Sequence, residues 1–119
     1  MNLLNSRMER IIQTGVQGAA LKVVDLITLA NDERGICTNL CFQNQDAAST
    51  VDIKMGVFRA GTLYAAQSTK ALAAGLYKQL DNPIHLRENE RLTINFTPSG
   101  ATFEWQVWAE IHVFNMPLK

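Results

Sequence analysis

Charge of either sign is scarce: 11 Lys plus Arg balance 11 Asp plus Glu, and only 18% of the 119 residues are charged, against about 25% in ordinary soluble domains. A zero net charge excludes a partner held by phosphate neutralisation, which needs a basic face, so no nucleic acid is expected. Long apolar runs are missing too. Lys22 and Asp25 interrupt the longest candidate, Ala19 to Ala30, well short of the roughly 18 residues of a membrane helix. Asn2, Asn5, Ser6, Arg7, Glu9 and Arg10 break up the first residues, so the expectation is cytoplasmic synthesis without a signal peptide. Two cysteines, Cys37 and Cys41, are too few for a disulfide framework. A chain this poor in charge, with nothing to keep copies apart, suits a protein whose surface is partly covered by other proteins.

Catalytic patterns are equally sparse. The two histidines, His85 and His112, stand near Glu88 and Glu110 without an HxH, HExxH or CxxC spacing, so no metal site is expected. No GxSxG elbow or glycine-rich phosphate loop occurs, and the seven glycines are scattered among turns. Acidic residues are dispersed: Asp32-Glu33, Asp46, Asp52 and Glu88 with Glu90 are each near a turn. No catalytic residue or cofactor is assigned, and an enzyme is not expected. Cys37 and Cys41, placed on one face of one strand, would stand about 13 Å apart, too far to bridge; they read as buried small apolar residues.

What is present is alternation. Phe103, Trp105, Val107, Ala109, Ile111 and Val113 alternate with Thr102, Glu104, Gln106, Trp108, Glu110 and His112, the signature of a half-buried strand. Leu92, Ile94 and Phe96 alternate before Pro98-Ser99-Gly100, so the last two long strands read as a hairpin. Val51, Ile53, Met55 and Val57 form another strand, and Leu21 to Leu29 one whose phase slips at Val24-Asp25-Leu26, as a bulge would cause. Ile36, Leu40 and Phe42 are placed on one face, opposite Cys37 and Cys41. Ser68 to Leu80 fits a helix or two short strands joined at Ala73-Ala74-Gly75, and the strands are preferred. Turn clusters every 8–14 residues imply an all-β antiparallel β-sandwich, jelly-roll or Ig-like.

The first residues read differently. Leu3, Leu4, Met8, Ile11 and Ile12 form one stripe of a short helix, marginal in water unless packed against its own domain or a neighbour. The expected organisation is therefore residues 1–18 as a short helix or extended arm, 19–114 as the sandwich and 115–119 as a tail. One core-sized aromatic breaks the sandwich pattern: Trp108 falls on the polar face of its strand. Either its own chain covers it or it faces a partner, since tryptophan is enriched at interface centres. Phe58 and Tyr64, flanking Arg59-Ala60-Gly61, add candidate aromatic surface.

The stretches Arg34-Gly35-Ile36-Cys37-Thr38-Asn39-Leu40, Thr50-Val51-Asp52-Ile53-Lys54-Met55-Gly56-Val57-Phe58-Arg59 and Asn82-Pro83-Ile84-His85-Leu86-Arg87-Glu88-Asn89-Glu90-Arg91-Leu92-Thr93-Ile94 carry a likeness. In strand cadence and turn chemistry the chain from about Val23 to Phe114 resembles small β-sandwich structural proteins of bacteriophage virions. The resemblance implies a non-enzymatic virion protein, a capsid decoration or cement protein or a minor head or tail component. Its partners would be capsid or tail proteins and further copies of itself, a trimer among the states expected. The candidate interface residues are Leu3, Leu4, Met8, Ile11, Ile12, Phe58, Tyr64 and Trp108. The alternative is a glycan-binding or receptor-binding module of a phage tail or other particle, presenting Trp108, Phe58 or Tyr64 to sugar faces.

Overall fold

The computed structural model describes residues 6–100 and 102–115. Nine strands run in chain order: β1 (Ser6–Gln17), β2 (Lys22–Thr28), β3 (Glu33–Asn44), β4 (Val51–Arg59), β5 (Thr62–Leu72), β6 (Tyr77–Gln79), β7 (Ile84–Leu86), β8 (Arg91–Pro98) and β9 (Phe103–Asn115). One sheet has the order β1-β9-β3-β6, with β7 also paired to β3; the other has the order β2-β8-β4-β5. Every pairing is antiparallel.

Successive strands cross between the sheets at almost every connection, so each strand pairs with partners distant in the chain. With β6 and β7 counted as one interrupted strand, this is the eight-stranded double Greek key of a jelly roll. The exception is β4–β5, a hairpin closed by Ala60 (φ 51°) and Gly61 (φ 81°). Two successive positive φ values make the tight turn whose twist matches the strands it joins.

The core lies where the alternation placed it. Val24, Leu40, Phe42, Val51, Ile53, Met55, Leu92, Ile94, Phe96, Phe103, Val107, Ile111 and Val113 are all buried between the sheets. Four aromatics join the two layers. Phe96 of β8 meets Phe42 of β3 at 4.8 Å and Trp105 of β9 at 5.1 Å, while Phe42 and Phe103 lie 6.3 Å apart. Such tilted and offset pairs add about 0.5–1.5 kcal/mol each beyond their buried area.

Five expectations meet the structure with different results. The slip in β2 is a bulge between Asp25 and Ile27, and Ser68 to Leu80 takes the strand form, as the end of β5, a turn and β6. The N-terminal helix is replaced by β1, paired with β9 through every residue from Ser6 to Gln17. Met8, Ile12 and Val16 recur every four residues, a spacing that keeps one face in either a helix or a strand, and the backbone partners on β9 decide for the strand. Leu3 and Leu4 lie outside the described residues. Nor are β8 and β9 a hairpin: β8 belongs to one sheet and β9 to the other. Finally, a register shift between Cys37 and Asn39 turns β3 over. Cys37 joins Leu40 and Phe42 in the core, and Cys41 faces outward with Ile36.

Candidate interaction surface

The outer face of the β1-β9-β3 sheet gathers Met8, Ile12 and Trp108, half of the described interface candidates. Ile12, Trp108 and Cys41 stand in one row across β1, β9 and β3. A second row runs Met8, His112, Ile36 and His85. Ile12 is 62% and Val16 64% exposed, with Met8 at 39%. Trp108 is half-buried between its cross-strand neighbours, so its indole is partly covered by its own sheet. Ile11, on the opposite face of β1, packs against the core. Tyr77 and Leu76 extend the exposed apolar groups past Gln43 at the other side of the same sheet.

Phe58 and Tyr64 belong elsewhere. They sit at the β4–β5 hairpin of the other sheet, where the Arg91 guanidinium lies 5.3 Å from the Phe58 ring centre and that of Arg59 5.0 Å from Tyr64. Beside them is a shallow recess of about 260 Å³ lined by Val57, Arg59, Tyr64, His85, Arg87 and Glu90. Glu90 is buried, paired with Arg59 at 3.1 Å and accepting the Arg87 backbone N–H at 2.7 Å. The structure therefore gathers Met8, Ile12 and Trp108 on one face and separates Phe58 and Tyr64 from them.

Titratable groups are held in ordinary structural roles. Burial pushes the Cys37 thiol up to about 11, and burial also raises Cys41, so neither has the thiolate character of a reactive cysteine. The Glu33 carboxyl is held below its usual range, first by the Ala30 backbone N–H it accepts and then by Arg7. Among the described residues no three His, Cys, Asp or Glu side chains converge as metal ligands.

One feature was invisible to sequence reasoning. Gly15 of β1 lies directly opposite Trp105 of β9, and a Cβ there would stand 2.8–3.0 Å from the indole ring atoms. The glycine lets the ring lie against the β1 backbone, next to a groove of about 430 Å³ between β1 and β2. Trp105 is only 5% exposed, yet among the described residues its Nε1–H has no partner, and neither has Gln17 Oε1 nearby in β1. The only signal in the sequence is Gly15 itself, and its meaning depends on which strand lies opposite.

No family model and no curated protein sequence matches this chain. Solved structures do share its fold. A structure described as Bacillus endospore appendages, disulfide-linked pili, superposes with a TM-score of 0.61 at 11% identity, covering 95% of this chain and 90% of that one. A chain of the acid-stable capsid of Helicobacter pylori bacteriophage KHP30 gives 0.55 at 11% identity, covering 92% of each. The coat protein of Tobacco streak virus also gives 0.55, at 8% identity, covering 100% of this chain and 93% of that one. At such identities the likeness is one of fold.

Proposed function

We propose that this chain is a non-enzymatic structural protein of a virus particle, acting as a capsid decoration or cement protein that binds particle proteins and further copies of itself. The observation that carries this reading is the line of exposed apolar side chains Met8, Ile12 and Val16 along an edge strand, beside Trp108 on the same face. Apolar groups aligned on one face of a soluble sandwich mark a protein contact. The fold adds support, since chains of a phage capsid, a plant virus coat and a bacterial pilus share it, though fold alone does not assign a function. A glycan-binding role is less favoured: sugar platforms need open aromatic faces, and Arg91 and Arg59 stand over Phe58 and Tyr64.

The test is fractionation of the particles of the encoding virus on a density gradient, with immunoblotting for this chain. Many copies per particle, reduced by Trp108→Ala in a protein that keeps its circular dichroism spectrum, are expected. A chain that stays at the top of the gradient overturns the reading.

A further inference from the structure

β1 is an edge strand: β9 covers one side, and among the described residues no strand covers the other. Edges that must stay unpaired carry a bulge, a proline or an inward charge, or are kept short. β1 is 12 residues long, keeps its register with β9 throughout, contains no proline, and is uncharged from Ile11 to Gln17; its two core-facing charges, Arg7 and Glu9, lie near its start and neutralise each other at 2.7 Å. The row of backbone donors and acceptors on such an edge is matched by another β-strand.

We propose that two copies of this chain pair antiparallel through β1, in the register symmetric about Ile12. Three independent observations select it. Met8, Ile12 and Val16 share a face and are evenly spaced about Ile12. In this register Ile12 therefore faces the second copy's Ile12, and Met8 faces its Val16. Charge is compatible as well: Arg10 faces Thr14, whereas a register centred on Arg10 would set that guanidinium against its own copy. Centres at Ile11 or Gln13 would place Arg10 against Ile12 or Val16.

The third observation lies on the core-facing side of the strand. Of three buried side-chain atoms without hydrogen-bond partners among the described residues, two are Trp105 Nε1, beneath Gly15, and Gln17 Oε1. The register symmetric about Ile12 sets Glu9 of the second copy opposite Gly15, where no side chain blocks its carboxylate from the indole N–H. It also sets Arg7, with five N–H donors, opposite Gln17 and its unmatched oxygen. A missing acceptor and a missing donor are both supplied by one register. In the single chain Arg7 pairs with Glu9 Oε1 at 2.7 Å and, across β9, with Glu33 of β3 at 2.8 Å, so pairing exchanges these exposed contacts for the ones across the new edge.

This inference deepens the structural reading above by naming a second copy as the partner of β1, and its test is separate. Sedimentation equilibrium of the purified chain should give twice the 13.3 kDa chain mass. Ile12→Lys sets like charges opposite one another, and should raise the dissociation constant at least 100-fold. Ile12 is 62% exposed, so this variant keeps its fold by circular dichroism. The register is read by oxidative cross-linking in a Cys41→Ser background. Ile12→Cys should link to itself, because opposed residues lie about 4.5–5.5 Å apart at Cα, within disulfide range. Val16→Cys should not, its two copies being about 27 Å apart along the strand.

A monomeric wild type, a trimer, a dimer indifferent to Ile12→Lys, or self-linking of Val16→Cys would overturn the pairing. A monomer that still enters particles overturns the pairing alone, and a dimer absent from particles overturns the particle role alone.

Discussion

The sandwich has two seams, and they are finished differently. Where β5 meets β6, Gln67 crosses from one sheet to the other: its Nε2 donates to the Gln79 carbonyl at 3.0 Å and its Oε1 accepts the Asp81 N–H at 2.8 Å. Beyond it, Asn44, fully buried, donates to the carbonyls of Ser49 and Leu72 and accepts the Asp46 N–H. The β5 edge is broken by two register shifts and by Ala71 at φ 51°. Where β1 meets β2, a groove remains, two polar atoms lack partners among the described residues, and β1 keeps an unbroken register. One seam satisfies its own hydrogen bonds, while the other leaves donors and acceptors for a neighbour.

The closed seam should be the costlier to damage, and Asn44→Ala is the hardest blow to it. It strands the Ser49 and Leu72 carbonyls and the Asp46 N–H that the side chain now satisfies, at an expected cost of about 3 kcal/mol. Urea unfolding measures it. A loss below about 1 kcal/mol would mean that water reaches these groups and that the seam is not closed. Gly15→Ala probes the open seam and should cost about 2 kcal/mol, because the new methyl overlaps the Trp105 ring. Near-UV circular dichroism should report the displaced indole. A neutral result would show the ring moving freely into the groove, making the contrast between the seams sharper.

Gln67→Ala removes two hydrogen bonds at a site that water can reach, and about 1 kcal/mol is expected. Its signature is local: hydrogen exchange should quicken at Tyr77 to Asp81 and stay unchanged in β1. Equal quickening in both places would deny that the seams are independent.

The core was largely legible from the chain, because burial writes period two into a strand. Phe103 to Val113 shows this alternation, and so does the slip at Leu26, where one extra residue leaves the core face at Val24 and Leu26 intact. Trp108 was legible as a breach of the same rule. What was hidden depends on partners remote in sequence. Nothing local to Pro98-Ser99-Gly100 distinguishes a hairpin from a crossing between sheets, and only the opposing β9 reveals the bulge that turns Cys37 inward. The β1 edge was misread because an uncovered strand has no strong alternation of burial to record. Its apolar residues lie on both faces, Ile11 inward and Ile12 outward, which imitates a helical stripe.

The smallest effect tests how firmly the open seam holds its own strand. Arg7, near the start of β1, donates to Glu33 at 2.8 Å, and Glu33 also accepts the Ala30 N–H at 2.9 Å. Both contacts favour the carboxylate, so the folded-state value lies below the ordinary 4.5. A depressed value means that the folded chain binds the proton less readily than the unfolded chain. The stabilisation is therefore fully present above about pH 4.5 and is lost as pH falls through the lower folded-state value. Arg7 is 45% exposed, which limits the ion pair to at most about 1 kcal/mol. Asp46 and Glu88 are also held low, so acid weakens the whole protein and the decisive quantity is a difference. Wild type should exceed Glu33→Gln in stability at pH 7, and the gap should shrink as pH falls below about 4.5. A gap that persists in acid would assign the role of Glu33 to packing rather than charge, and β1 would then owe its place to β9 alone.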